Sequence, residues 1–364
     1  MRSGTGLGSA PMGVLDAIDR FQRRHRLLGF PIAVVYKYVD DQGPYLAAIL
    51  TYYAFISIFP LMLLGSSILG LVLRDEPTWQ QAILDSALAQ FPIIGDQLGR
   101  PEGLQGSVWG VTLGALAALY GCQGLGQALQ NTQHVAWSVP RNSRPNPFFS
   151  RVKTLGLLLV AGLSLLTVSV LSTLLSSTDV FTEGLSLWQR GVVVGGTILL
   201  VGAFLTVLFR LSATGPNSRF RRVAPGAFTL AALFQLLQFG GALYVQHVLV
   251  GASSMTKTFG LVLGLVGFIY IGALMAVLSI EVNVVITRRL FPRALLTPFT
   301  DAVSLTEADR RAYALYARMQ RHKGFQQVSV AFHEPDADPP AIQQPLDADP
   351  ETGAAPAVES GGGR

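Results

Sequence analysis

Long apolar stretches without charged residues recur six times along the chain. The first, from Gln42 to Leu73, contains no Asp, Glu, Lys or Arg. A helix over this stretch rises about 48 Å, which exceeds the roughly 30 Å hydrocarbon core of a bilayer. The pattern therefore predicts an all-α, polytopic membrane protein with a bundle of six transmembrane helices. These six spans cover about 42–73, 107–131, 154–178, 191–209, 224–250 and 259–280.

The composition excludes an ordinary soluble enzyme. Of the 364 residues, 50% are hydrophobic and only 13% are charged, whereas soluble domains carry roughly 25% charged residues. The chain contains one cysteine, Cys122. This excludes an intramolecular disulfide framework and a zinc or iron–sulfur site built from several cysteines.

The basic residues are distributed unevenly between the connecting segments. With both termini inside, 23 of the 27 Lys and Arg residues fall in cytoplasmic segments. The positive-inside rule therefore predicts an N-in/C-in orientation. The same clusters suit contacts with anionic lipid headgroups. A nucleic-acid partner is not expected, because its footprint would be a contiguous basic face. The four Lys and Arg residues that fall outside the cytoplasmic segments are Arg74, Arg100, Arg190 and Lys257.

The segments around the membrane domain differ in composition. Residues 1–41 form a cytoplasmic N-terminal segment, and its stretch 11–28 has the apolar and basic faces of an amphipathic interfacial helix. The six-span domain is assigned to 42–295. Outside the membrane, residues 74–106 form the longest external loop.

The C-terminal part is predicted to contain one helix and a disordered tail. Within 296–332, Ser304 to Glu307 fits a capping box that opens a cytoplasmic helix ending near His322. The segment 333–364 contains six prolines and seven acidic residues. Such a sequence cannot bury enough apolar area to order itself.

Several motifs, taken in their order and spacing, resemble the YihY/BrkB family of bacterial inner-membrane proteins, once labelled ribonuclease BN. The resemblance covers roughly residues 30–295. Family members often have Gly-Ala-Glu-Leu-Asn in span six, where this chain has Ser-Ile-Glu-Val-Asn and keeps Glu281 and Asn283. The motifs are Leu50–Leu61, Ala128–Asn131, Ala136–Arg141, Pro225–Ala227, Gly240–Val245 and Ile280–Asn283.

This resemblance implies a six-helix cytoplasmic-membrane protein, with transport or envelope roles proposed for the family. The former nuclease label is not supported by the residues. A hydrolytic nuclease needs clustered carboxylates for its metal ions, and Glu281 is the only acid within the six spans.

Polar side chains recur on one face of two predicted spans. They suit either a hydrated pathway for a polar or amphipathic solute, or hydrogen bonds that hold helices together. Both interpretations remain open from the sequence. The residues are Gln123, Gln127, Gln130, Asn131 and His134 in span two, and Gln235, Gln238 and Gln246 in span five.

Glu281 and Asn283 lie at the inner end of span six, where two interpretations also remain. A proton-coupled carrier would use a partly buried carboxylate there. Alternatively, Glu281 forms an ion pair with a cytoplasmic arginine at the headgroup boundary and fixes the depth of the helix.

Span one contains a predicted helix break. Tyr52, Tyr53 and Ser57 precede Pro60, so that they either shape a cavity at the break or pack and anchor the helix. Glycines every fourth position at 106–114, 191–195 and 260–264 are typical of closely packed helices.

Catalytic and cofactor motifs are missing from the sequence. The five histidines have no metal-ligand spacing, and there is no phosphate-binding GxxxxGK[ST] loop and no GxSxG nucleophile elbow. We therefore expect no enzyme activity, no metal and no cofactor.

Two functions fit this combination of features. The first is a transporter or a lipid or amphiphile translocator, for which the polar faces and Glu281 are the candidate pathway. The alternative is a non-transporting scaffold in envelope assembly. Homo-oligomer formation is left open by the sequence.

Overall fold

The computed structural model describes residues 19–72, 78–79, 82–83, 108–176, 187–244, 247, 254–295, 297 and 303–332. Some of the predictions above lie outside these residues. They are the first part of the amphipathic helix at 11–18, nearly all of the external loop, Gln246 and the tail 333–364.

The described residues are helical or irregular and contain no strand, which confirms the all-α prediction. The segment 19–24 is helical and ends at His25, where the backbone becomes extended. The later helices are α1 (Arg26–Asp40), α2 (Gly43–Val72), α3 (Val108–Ala136), α4 (Pro147–Ser176), α5 (Leu187–Ser212), α6 (Phe220–Tyr244), α7 (Ser254–Arg288) and α8 (Glu307–Met319).

Helices α2 to α7 follow the six apolar stretches of the sequence. Within the described residues, four segments are long and apolar enough to cross a membrane, and a shorter apolar helix covers Gly43–Ile58. The sequence-based boundaries were too short at several ends, because polar residues such as Gln133 continue a helix once they find partners on neighbouring helices. The four segments are Pro147–Val170, Gly191–Ser212, Phe220–Tyr244 and Gly260–Arg288.

The six long helices form a closed ring in chain order. Each of α2 to α6 packs against the next helix, and α7 packs against both α6 and α2. Helices α3 and α4, and likewise α5 and α6, run in opposite directions, because short connections join them at the same end. The other successive pairs are also antiparallel, since the start of α2 packs against the late part of α3, the start of α4 reaches the end of α5, and the start of α6 packs against the late part of α7. Helix α1 lies against the start of α2 and the last part of α7.

Close approach of helices depends on glycines at particular positions. A Cβ added to Gly226 would lie 1.9 Å from the Ser279 carbonyl oxygen, so α6 and α7 cross in backbone contact there. In contrast, a Cβ on Gly191 or Gly195 meets no atom within 4 Å. The glycine repeat at 191–195 therefore does not mark a packed helix face.

Helix α8 begins with a capping box that is shifted from the predicted one. Thr306 is the N-cap, and its hydroxyl accepts a hydrogen bond from the Asp309 N–H. The Asp309 carboxylate accepts one in return from the Thr306 N–H. The predicted box, Ser304 with Glu307, is wrong by two residues because Asp309 also pairs with a buried arginine of another segment.

We expect Gly226→Ala to destabilise the protein by at least about 2 kcal/mol, because the added methyl overpacks the crossing of α6 and α7. Gly195→Ala is the matched control on a helix face in open space. Thermal unfolding of the purified proteins in detergent measures the difference. Equal unfolding temperatures for the two variants would contradict the close crossing.

Candidate functional site

Hydrogen-bonded and charged side chains gather at one end of the ring, which we call the polar end. It comprises the starts of α2, α4 and α6 and the ends of α3, α5 and α7. A bond from the Lys153 ammonium to the Ala213 carbonyl, 2.7 Å long, links the start of α4 to the end of α5. The Asn142 N–H donates to the Arg321 carbonyl at 3.2 Å, which places the segment after α8 at this end as well.

Gln130 is one of the predicted site residues, and its hydrogen-bonding capacity is used between α3 and α4. Its amide nitrogen donates to the Ser150 carbonyl at 3.0 Å and to the Thr154 hydroxyl at 2.9 Å. Its amide oxygen accepts from the Ser150 hydroxyl at 2.8 Å. With 1% of its surface exposed, Gln130 holds two helices together.

A second amide, Gln133, makes similar bonds between α3 and α5. It donates to the Ser212 hydroxyl at 3.2 Å and accepts from the Trp137 indole N–H at 3.0 Å. His134 lies 2.9 Å from the Thr214 hydroxyl. Gln133 was not among the predicted site residues, because it lies beside the predicted polar face and not on it. Its position between Gln130 and Trp137 is the signal in the sequence that could have indicated it.

The other predicted amides are less engaged. Gln123 is half-buried and donates to the Arg151 carbonyl at 3.4 Å, and Gln127 is exposed. Asn131 is exposed and accepts from Arg144 at 3.3 Å. On α6, Gln235 and Gln238 are partly buried. For Gln130 and His134 these contacts support hydrogen bonding between helices, whereas the pathway interpretation of the remaining amides stays a prediction.

Asn283 joins α7 to α6. Its side-chain oxygen accepts a hydrogen bond of 2.7 Å from the Gly226 N–H. The preceding residue, Pro225, disturbs the hydrogen bonds of the helical turn before it. The side chain of Asn283 then accepts the hydrogen bond of the Gly226 N–H. Asn283 is 1% exposed and fixes the crossing at Gly226.

Glu281 lies in a buried cluster with Lys37 and Asp41, which we call the buried triad. Lys37 pairs with Asp41 directly, and its Nζ lies 3.9 Å from the nearer Glu281 carboxylate oxygen. The three side chains are at most 3% exposed. The partner of Glu281 is therefore a lysine of α1 and not the arginine that the sequence suggested.

A second buried charge cluster surrounds Arg293, in the segment after α7. The guanidinium binds Asp309 at 2.6 Å and Asp40 at 2.7 Å, and it lies over the rings of Tyr36 and Tyr313. Burial disfavours the charged form, but the two carboxylates outweigh it and raise the pKa of Arg293. Arg293 therefore stays charged and joins α1 to α8.

The helical segment 19–24 is attached to the same region. Gln22 donates to the Arg293 carbonyl at 2.6 Å, and the Asp19 carboxylate accepts from the Leu295 N–H at 3.0 Å. Although burial opposes ionisation, hydrogen bonds from Leu295, Gln22 and Arg23 lower the pKa of Asp19. The part of the predicted interfacial helix that is described thus contacts protein on one face.

Helix α2 is helical from Gly43 to Val72 and continues through Pro60, and a cavity at a break in span one stays a prediction. Tyr52 is 60% exposed on the outside of the ring. The Tyr53 ring occupies the space beside Gly124 of α3, where a Cβ would lie 2.1 Å from it. The Ser57 hydroxyl donates to the Tyr53 carbonyl. The contacts of Tyr53 and Ser57 support the packing interpretation of these two side chains.

An apolar cavity of about 200 Å³ lies between α4, α5 and α6. Phe234 forms part of its wall and also packs against the core cluster of Ile58, Leu237 and Leu265, which places this wall inside the ring. The hydroxyl of Ser164, the one polar side chain of the lining, donates to the Ala161 carbonyl at 2.7 Å. The cavity therefore offers no free polar group to a solute.

A metal site is not formed by the described residues, among which no three His, Cys, Asp or Glu side chains come together. Cys122 is a buried free thiol, and burial lowers thiol reactivity.

We expect Arg293→Met to destabilise the protein by about 3–5 kcal/mol, because Asp309 would be left buried without its cation. Arg310→Met, at an exposed position of α8, is the control. Thermal unfolding in detergent tests the difference, and a loss no larger than that of the control would contradict the role of the Arg293 cluster.

The chain was compared with known proteins. A sequence profile of the Virulence factor BrkB family matches residues 34–300, from within α1 to just beyond α7, which is well over half of the chain. No curated protein and no solved structure matches. The profile confirms the resemblance to the YihY/BrkB family, and the matched range includes the buried triad, Arg293 and all six long helices. The chain therefore belongs to the Virulence factor BrkB family.

Proposed function

We propose that the protein is a multi-pass protein of the bacterial inner membrane in which α2 to α7 span the bilayer six times. The alternating directions of these helices support an even number of crossings. The basic residues of the polar end support a cytoplasmic location for that end and for both termini. The central residues of this set are Arg141, Arg144, Arg151, Lys153, Arg210, Arg219, Arg221 and Arg222.

The proposed activity is translocation of a lipid or another amphiphile with an apolar chain. The observation that carries this proposal is the apolar cavity inside the ring. A hydrated pathway for a polar solute would need unpaired polar groups along the ring, whereas Gln130 and Ser164 are bonded within the protein. The cavity is also smaller than the roughly 300–1,000 Å³ of pockets that hold compact small molecules, and an acyl chain is narrower than those ligands.

The outer surface of α4 supports access from the bilayer. Leu159 is 69% exposed and Leu163 is 54% exposed. A Cβ added to Gly156 or Gly162 would meet no atom within 4 Å. Lipid chains would fill this open space in a membrane and would lie beside the helix that forms one cavity wall.

Charge at the polar end favours an anionic headgroup. The described residues of 108–176 and 187–244 contain no Asp or Glu, so the basic residues of this half are not neutralised by acids there. Burial and the neighbouring Arg141 lower the pKa of Arg144, which is the mark of a cation without a counter-ion. An anionic headgroup would supply that counter-charge.

A scaffold role in envelope assembly is the second candidate. The segment after α8 is exposed at the polar end, and Phe325 is 91% exposed there, which suits a docking contact. A membrane enzyme is not proposed, because the ion-pair partner of Glu281 is Lys37 and the hydrogen bond of His134 goes to Thr214.

We expect Ser164→Phe to slow translocation of a fluorescent anionic phospholipid in proteoliposomes by at least about tenfold, a barrier increase of about 1.4 kcal/mol. The physical reason is that the new ring fills the cavity. Leu163→Phe is the control, since it adds the same ring one residue away on the exposed face of α4. Fluorescence quenching from the outer leaflet measures the rate.

Two outcomes would contradict the proposal. One is equal rates for both variants at equal folded fractions. The other is a wild-type rate no higher than that of protein-free liposomes, which would favour the scaffold role.

A further inference from the structure

The Glu281 carboxylate has an unusual environment for a charged group. Its side chain is 0% exposed, and neither carboxylate oxygen accepts a hydrogen bond from the described residues. Its nearest cation, Lys37, is 3.9 Å away and binds Asp41 more closely. A buried carboxylate without donors is costly unless it is neutralised.

Asp309 provides a comparison within the same protein, because its side chain is also 0% exposed. Its carboxylate accepts from the Ala294 N–H at 3.1 Å and from the Thr306 N–H at 3.0 Å, and it pairs with Arg293 at 2.6 Å. Buried carboxylates with several donors remain ionised. Glu281 has the burial of Asp309 but none of its donors.

Glu281 and Asp41 share one cation, the ammonium of Lys37. Both carboxyl groups lie beside the same ammonium, which contacts Asp41 directly and is 3.9 Å from Glu281, and among the described residues Asp41 Oδ1 also has no donor. Two carboxylates can only accept, so as a pair of anions they repel each other. With one proton between them, one carboxyl donates and the other accepts.

The net charge of the buried triad leads to the same conclusion. One lysine and two carboxylates carry a charge of −1 in a site sealed from water. The charged groups that act on Glu281 include Lys37, Asp41 and Asp40, and Asp40 is paired with Arg293.

Among the described residues, the other packed helices bring no compensating cation to the triad. Helix α2 contains no acidic or basic residue. On α3, His134 contacts Thr214, and Arg288 at the end of α7 faces Arg222 of α6.

We propose that Glu281 and Asp41 bind one proton between them, at the junction of α1, α2 and α7, and that this proton makes the buried triad neutral. The site belongs to the end of α7 and not to the apolar cavity. The inference therefore goes beyond the proposed translocation, and the experiment below reads it without any transport measurement.

Infrared spectroscopy of the purified full chain tests the proposal, in a detergent without ester groups. At pH 7 the wild type is expected to have a carboxylic-acid C=O stretching band, which is absent from Glu281→Gln. Asp41→Asn is also expected to lose the band, because Lys37 and an ionised Glu281 are already neutral together. Glu307→Gln, at an exposed position of α8, keeps it.

Thermal unfolding provides a second measurement. The folded wild type holds a proton that the unfolded chain releases at neutral pH, so the folded state loses stability as the pH rises. For each pH unit of increase, the unfolding equilibrium of the wild type is expected to shift about tenfold toward the unfolded state relative to that of Glu281→Gln. If Glu281→Gln does not fold, Asp41→Asn replaces it in both measurements.

The proposal is overturned if the wild-type band is missing at pH 7, or if it persists in both Glu281→Gln and Asp41→Asn. A missing band together with an unfolding temperature that rises when Na⁺ or K⁺ replaces choline would also overturn it, with a metal cation as the occupant instead of a proton.

Discussion

Burial of charge without water is the constraint on which this structure depends. Two cations, Lys37 and Arg293, are almost fully buried, and each lies beside two carboxylates, of which at least one comes from a segment distant in sequence. An ion pair of this kind fixes its partners, because removing either member leaves an uncompensated charge. Helix α1, the end of α7 and α8 are held together in this way. The side-chain amides of α3 hold α4 and α5 in place through hydrogen bonds between neutral groups.

The hydrogen-bonded and charged side chains gather at the polar end, and the rest of the ring is mainly apolar. The long helices expose leucines and valines to the outside, and α4, α5 and α6 line a cavity without a free polar group. In the proposed translocation, this arrangement favours a substrate with an apolar chain over a hydrated solute. For the proposed substrate, the basic residues of the polar end add a preference for an anionic headgroup, since the described residues of 108–176 and 187–244 contain no Asp or Glu. Both features belong to the part of the chain that the structure describes.

The sequence predicted the helices well, because absence of charge over more than twenty residues is a strong local signal. The partners of individual side chains were not predictable. Lys37 looked like one basic residue among many, although tertiary packing brings it to Glu281. The capping box of α8 was predicted at the wrong residues, because the ion pair of Asp309 with Arg293 fixes the position of Asp309 and cannot be seen in the local sequence. The glycines at 191–195 had the spacing of a packed face, but spacing cannot tell whether another helix is there.

The central claim is that the charge-rich ends of the long helices all face the cytoplasm. Labelling of single cysteines with a membrane-impermeant maleimide, in a Cys122→Ala background, tests it most directly. The account predicts that Trp188→Cys, at the opposite end of α5, reacts in intact cells. Asn142→Cys and Gln320→Cys should react only after the membrane is permeabilised. Labelling of Asn142→Cys or Gln320→Cys in intact cells, or protection of Trp188→Cys there, would contradict it.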